Sequence, residues 1–171
     1  KQMKVLIFGE SDIGTAIKSI YPETVMVPKG KCDVRKQSQV KELIKSVNPE
    51  VIVNCAGISH VQELKNSNPE FWREEMEVNL FGSYLIARES IEVNPKMKMI
   101  FIASVAGLYG KAEHSGYSAS KSAVISLVQS LGMEKYAAYA ISPGRVDTKM
   151  REKDFPGEDK RTRLTTKQVA N

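Results

Sequence analysis

The sequence has no apolar run of the roughly 18 residues that a membrane-spanning helix needs. It has two cysteines, Cys32 and Cys55, with no metal-ligand or redox spacing between them, so neither a disulfide framework nor a cysteine-held metal is expected. The N-terminus has no secretory pattern: Lys1-Gln2-Met3-Lys4 leads straight into an apolar strand. These features together predict a reducing, cytoplasmic compartment. Internal repeats and low-complexity segments are missing, which excludes solenoid and fibrous architectures. Basic residues are scattered and not interleaved with aromatics, so the net charge of +5 reads as solvated surface and not as a nucleic-acid footprint.

What is present suits one domain, residues 1–171, able to bury a core without staples: 42% of residues are hydrophobic and 26% charged. Lys4-Val5-Leu6-Ile7-Phe8 is a short continuous apolar run ending at Gly9, the pattern of a buried parallel strand. A helix is expected over 13–20, stopped by Tyr21-Pro22. A second strand follows at Thr24–Val27. Val40, Leu43, Ile44 and Val47 fall on one helical face. Val51-Ile52-Val53 is the third strand. Asn68 is an N-cap with Pro69 at the first helical position of a long helix running to about Glu92. Met99–Ala103 is a fourth strand, Tyr117–Tyr136 a second long helix and Ala138–Ile141 a weaker fifth strand. From Thr148 the chain reads as a charged loop, with a helix starting near Thr165. Strands alternating with helices predict an α/β fold: a doubly wound parallel sheet with helices on both faces. In such sheets ligands sit at the carboxyl ends of the strands, where the motifs of this chain fall.

The turn after the first strand is Gly9-Glu10-Ser11-Asp12-Ile13-Gly14. Glycines there let a ligand approach the backbone, and free N–H groups with the helix dipole attract a phosphate. Small residues in Asn54-Cys55-Ala56-Gly57 leave room for something flat against a strand end. Tyr117 and Lys121 lie four apart and share a helix face. A tyrosine that exchanges protons near neutral pH must fall roughly 3 units below about 10, worth about 4 kcal/mol, and a nearby ammonium supplies part of that. Ser104 lies just past a strand, Asn79 is a poor helix former inside a helix, and Pro143-Gly144 ends the next strand.

These pieces, in this order and spacing, resemble a short-chain dehydrogenase/reductase. They are the glycine turn, Cys32-Asp33-Val34, Val53–Gly57, Asn79 in Glu77–Gly82, Ser104 in Ile102–Gly107, Tyr117 with Lys121, and Ile141–Thr148. The resemblance spans Lys4 to about Met150 and implies a Rossmann-like fold. It implies Tyr117 as the general acid/base, Lys121 on the nicotinamide ribose and lowering the pKa of Tyr117, and Ser104 on the substrate oxygen. Asn79 would hold a water that links Lys121 to solvent. Gly9, Ser11, Ile13 and Gly14 would surround the pyrophosphate and adenosine ribose, and Asp33 and Val34 would meet the adenine. Asn54, Ala56 and Gly57 would flank the adenosine side, and Pro143, Gly144, Val146 and Thr148 would line the nicotinamide. No metal is implied. No acid ends the second strand, and Lys29 or Lys31 could meet a 2′-phosphate, so NADP(H) is favoured over NAD(H).

Three features depart from the family pattern. The glycine turn is one residue short and lacks its middle glycine, which leaves Asp12 unfavourable near a pyrophosphate unless it points away. The connection from Gly14 to Asp33 is compact, with a strand-to-loop link straight into Asp33. The chain ends at Asn171, so a sheet of about six strands is expected, with the family's last strand missing. Residues 149–163 would form a flexible flap over the substrate, with a positive balance that hints at an anion. A small carbonyl or alcohol is the expected substrate, and a homodimer through the two long helices is expected. The alternative is a catalytically silent dinucleotide sensor on the same fold.

Overall fold

The computed structural model describes residues 3–28 and 30–171. Five parallel strands are ordered β2-β1-β3-β4-β5: β1 (Val5–Phe8), β2 (Val25–Met26), β3 (Val51–Asn54), β4 (Lys98–Ile102) and β5 (Ala138–Ile141). The expected doubly wound parallel sheet is present, and its five strands among the described residues are consistent with the expected sheet of about six. Seven α-helices connect and flank the strands: α1 (Asp12–Ile20), α2 (Gln37–Val47), α3 (Pro69–Glu75), α4 (Gly82–Val93), α5 (Ser115–Met133), α6 (Lys149–Asp154) and α7 (Thr166–Ala170).

The strands are apolar on both faces because helices cover both. Leu6, Phe8, Ile52, Met99 and Phe101 point to one face, where they pack with Val40 and Ile44 of α2, Ile86 of α4 and Val124 and Val128 of α5. Their alternating neighbours Val5, Ile7, Val51 and Val53 point the other way, toward Ile17 of α1 and Ala170 of α7. Register is set by this pleat: Leu6 pairs with Ile52 and Val53 with Ile100. At β5 the second face is open, and Tyr139 and Ile141 are exposed.

Local chemistry explains the element ends. Ser11 caps α1 by accepting from the Gly14 amide at 2.9 Å. Asn48 ends α2 in the left-handed conformation, φ 48°. Asn68 accepts from the Glu70 amide, and Pro69 opens α3 as expected. Thr165 and Gln168 form a reciprocal capping box on α7. The long helix expected from Asn68 is interrupted: α3 passes through a π-helical segment, Met76–Phe81, before α4 begins. Asn79 sits in that wide turn. Its burial answers the question that an asparagine inside a helix raises, because the side chain serves backbone outside the helix (below). Among the described residues no helix or strand lies between β2 and Asp33, in keeping with the compact link read from the spacing.

The turn Val105–Gly107 rests directly on α5. A Cβ at Gly107 would lie 2.7 Å from the backbone carbon of Lys121 and 2.8 Å from the Ser122 nitrogen, whereas one at Gly110 would meet nothing within 4 Å. Backbone cannot step aside as a side-chain tip can, so Gly107→Ala should lose about 1–3 kcal/mol of stability. Gly110→Ala should change little, and urea unfolding of the two variants against the parent measures the contrast.

Candidate functional site

A cleft of about 980 Å³ opens at the carboxyl ends of the strands. One wall is the turn after β1. Gly9 has φ +87°, and a Cβ there would come within 2.6 Å of the Cα and N of Ala56. Only glycine permits this approach, which brings the turns after β1 and β3 together as the cleft floor. Asn54 shapes the second turn from beneath: its Oδ1 accepts from the Ala56 amide at 3.0 Å, and its Nδ2 donates to Ser83 Oγ. Asp12, unfavourable if it faced a phosphate, turns to the far rim and accepts from the Lys149 amide at 2.7 Å.

Of the residues expected at the site, Gly9, Ser11, Ile13, Asp33, Val34, Ala56, Gly57, Ser104, Tyr117, Lys121, Pro143, Gly144, Val146 and Thr148 line the cleft. Gly14, Asn54 and Asn79 stand just behind it. Gly14 is covered by Met26, Ser11 and Ile7 and serves the packing of α1 on the sheet. Lys29 lies outside the described residues, and Lys31 is not on the lining, whereas Arg35 is. Arg35 forms a two-pronged pair with Asp33, Nε and Nη2 each 2.9 Å from a carboxylate oxygen. This contact holds the Asp33 carboxyl below its usual range. The sequence carried that signal, an acid and a guanidinium two residues apart in a turn, but spacing alone could not say which cation faces the cleft.

The polar centre is tightly bonded. Lys121 is 6% exposed, and its Nζ donates to the Ile102 carbonyl at 2.8 Å. Burial without a carboxylate lowers its pKa to about 8. Ser104 caps the turn that follows it, accepting from the Ala106 amide at 3.1 Å, and its hydroxyl also bonds Tyr117. Asn79 Oδ1 accepts from the Ile58 amide at 2.8 Å, while Nδ2 donates to the Ile58 carbonyl and to Ser120 Oγ. A Cβ at Gly57 would meet Asn79 Oδ1 and Lys121 Nζ at 3.3 Å each, so both groups crowd this one position. Cys55, beside Ser11 and Lys121, has its thiol pushed up to about 11 by burial.

One expectation is corrected. Tyr117 was expected below its ordinary pKa through Lys121. Burial instead holds it above that value, the bond from Ser104 only partly opposing. The physical reason is direction: the Lys121 ammonium is spent on the Ile102 carbonyl and lies 5.7 Å from the Tyr117 ring centroid. The positive balance of residues 149–163 is also largely internal. Arg163, its side chain fully buried, binds Asp147, Glu152 and Glu158, and Arg151 binds Glu158. Residues the motifs did not mark include Lys111 and Phe155, brought to the lining by the fold alone.

A lysine whose folded pKa lies below its unfolded value binds fewer protons when folded. Between about pH 8 and the unfolded value near 10.5, stability therefore rises with pH, and below pH 8 the full penalty of the buried charge is present. Lys121→Met should accordingly stabilise the ligand-free protein at pH 7, by about 1–3 kcal/mol once the lost bond to Ile102 is discounted. The gain should fade as pH climbs from 8 toward 10.5, which thermal unfolding at several pH values would register.

The comparisons agree with this geometry. The family model described as short chain dehydrogenase matches residues 1–159. The chain is 30% identical over 168 residues to the NAD-dependent glycerol dehydrogenase of Listeria innocua, covering 90% of this chain and 65% of that protein. It is 32% identical over 139 residues to the 3-oxoacyl-[acyl-carrier-protein] reductase MabA of Mycobacterium bovis, covering 72% of this chain and 56% of that protein. The chain thus spans somewhat over half the length of these curated relatives. Among solved structures, ligand-free aldohexose dehydrogenase from Thermoplasma acidophilum has TM-score 0.81 at 24% identity, over 99% of this chain and 84% of that one. A short chain dehydrogenase from Burkholderia cenocepacia in complex with NADP has TM-score 0.84 at 19% identity, over 99% and 81%. With a family match over nearly its whole length and the parallel sheet such proteins share, the chain belongs to the short-chain dehydrogenase family.

Proposed function

We propose that the protein is an NADP(H)-dependent oxidoreductase that reduces a small carbonyl to an alcohol, with Tyr117 as general acid/base. The observation that carries this reading is the one cleft that is lined both by the turn before α1 and by Ser104, Tyr117 and Lys121. The nicotinamide, when bound, supplies the hydride. Tyr117 passes its proton to the carbonyl oxygen, and Ser104 donates to the same oxygen as negative charge builds there. A phenol held above its usual pKa is protonated at neutral pH, the state that reduction needs. Lys121 holds the nicotinamide ribose, and its pKa of about 8 suits it to return a proton to Tyr117. Asn79, beside Lys121 at Gly57, positions the relay toward solvent.

The cleft residues fit a dinucleotide. Gly9, Ser11 and Ile13 would hold the pyrophosphate at the α1 N-terminus, with Gly14 packing that helix on the sheet behind them and Asp12 turned away. Asp33 and Val34 would meet the adenine, with Asn54, Ala56 and Gly57 on the adenosine side. Pro143, Gly144, Val146 and Thr148 would line the nicotinamide. For the 2′-phosphate the cleft offers Arg35 in place of Lys31, since a guanidinium already on the wall can trade part of its pair with Asp33 for a phosphate. NADP-bound structural neighbours support this choice, and the NAD-dependent glycerol dehydrogenase is its counterweight. Residues 149–163 act as the flap over the substrate, and the chain works in the cytoplasm with a small molecule and without nucleic acid. The segment from α3 through α4, which exposes Phe81 and Tyr84, and α5 pair in a homodimer. Among the described residues no helix is long and apolar enough to cross a membrane.

Fluorescence titration with NADPH and NADH tests the cofactor. Micromolar binding with NADPH tighter is expected, and binding of neither sinks the oxidoreductase reading. Arg35→Ser should weaken NADPH about tenfold and NADH far less, at a cost on the order of one charge-assisted hydrogen bond. Tyr117→Phe should cut carbonyl reduction by about 10²–10⁴-fold with NADPH still bound. A variant with unaltered turnover would remove Tyr117 from the chemistry.

A further inference from the structure

The imidazole of His114 is not used by the chemistry above, yet it stands beside the reacting group. It is 3% exposed, lines the cleft and precedes Tyr117 by one helical turn. The two rings meet edge-on, their centroids 6.4 Å apart. His114 Nδ1 lies 3.0 Å from the Ala112 carbonyl. A carbonyl oxygen can only accept, so Nδ1 carries the hydrogen, and with no second proton on the ring Nε2 is a bare lone pair. Among the described residues that buried Nε2 has no hydrogen-bond partner. A buried acceptor left unpaired is costly and rare in a folded protein, and each instance calls for a reason.

The surroundings narrow what could bond it. Phe155 stacks on the imidazole at 5.2 Å, with ring planes 8° apart, and shields it from water. Phe155 in turn lies under two cations, Lys111 Nζ at 3.6 Å and Arg151 Cζ at 3.8 Å from its ring centroid. An ammonium donor entering here would meet both positive charges, so a neutral donor is favoured. Glu75 is the buried carboxylate that acts electrostatically on this region, but its Oε1 is taken by the His60 amide at 2.8 Å. Phe155 follows α6 on the same strap that carries Thr148 and Arg151 along the cleft, so movement of that strap would uncover Nε2.

We propose that His114 determines substrate specificity: its Nε2 accepts a hydrogen bond from a hydroxyl on the carbon next to the carbonyl that Tyr117 protonates. The substrates preferred are then α-hydroxy ketones and aldehydes, and in the reverse direction vicinal diols. The rings' closeness favours a hydroxyl near the carbonyl over a remote one, because one small molecule then serves both side chains. The inference rests on the reading of Tyr117 as the acid. With a bound nicotinamide supplying the hydride and its two electrons to the carbonyl carbon, the carbonyl oxygen would take the Tyr117 proton and the neighbouring hydroxyl would be unchanged.

The test is a comparison of matched substrates, acetoin with 2-butanone and 2-hydroxyacetophenone with acetophenone, by kcat/KM for NADPH oxidation. A site built around an unpaired acceptor rejects the analogue that lacks the donor. The hydroxylated member should therefore win by tenfold or more in at least one pair. His114→Phe, which removes the acceptor and keeps the stack on Phe155, should bring that ratio to about one, whatever happens to absolute rates. His114→Gln, which restores an acceptor, should recover part of it. A ratio near one in the parent protein, or a ratio that survives His114→Phe, overturns the proposal. NADPH binding without reduction of any of the four ketones also overturns it, with the dinucleotide site left standing. Failure to bind NADPH overturns the parent reading and this one together.

Discussion

A buried ammonium with no carboxylate beside it is the constraint on which the centre of this structure depends. Lys121 is nearly sealed from water, and its ammonium donates a hydrogen bond to one backbone carbonyl, that of Ile102. Charge held this way is costly, and the surroundings must be rigid enough to hold it. They are built so. Gly107 lets the turn after β4 lie on the α5 backbone, Gly57 leaves room for the Nζ, and Asn79 ties the β3 turn to the π-helical segment through both its amide and its carbonyl bonds to Ile58. Loosening any of these would let water or a neighbouring group reach the ammonium and undo its lowered pKa.

The same economy governs the rest of the cleft. Close backbone approach at Gly9 and Ala56 sets the floor, and a strap from Thr148 to Phe155 forms the far wall. The strap is fastened at one end by Asp12 on the Lys149 amide and at the other by Phe155 against His114, Lys111 and Arg151. Arg163 holds its return path, bonding three carboxylates at once. The positive balance of residues 149–163, which in the sequence hints at an anion, is therefore largely offset by Asp147, Glu152 and Glu158.

Most of the fold was legible in the chain because burial on both faces of a parallel strand leaves an unmistakable signature, such as Val5–Phe8 and Val51–Val53. Helix ends at Asn68-Pro69 and Asn48-Pro49 were legible because caps are local chemistry. The π-helical break at Met76–Phe81 was not: Asn79 within it bonds Ile58, 21 residues away in sequence, and no local pattern marks that contact. The exposure of Tyr139 and Ile141 on β5 was likewise out of reach of pattern alone, because it depends on which helices cover that strand's second face.

The chain by itself determined which residue types meet at the site, for the order of the glycine turn, Asn79, Ser104, Tyr117 and Lys121 is a property of the sequence. It also determined the α/β alternation, because hydrophobic periodicity and cap residues act over a few positions. Only the tertiary structure decided where Lys121 spends its proton, that Tyr117 sits above its ordinary pKa, that Arg35 and not Lys31 faces the cleft, and that His114 keeps a buried lone pair beside the acid. Those outcomes turn on burial and on the direction of single bonds between distant segments. Neither quantity exists until the sheet has brought the strand ends together.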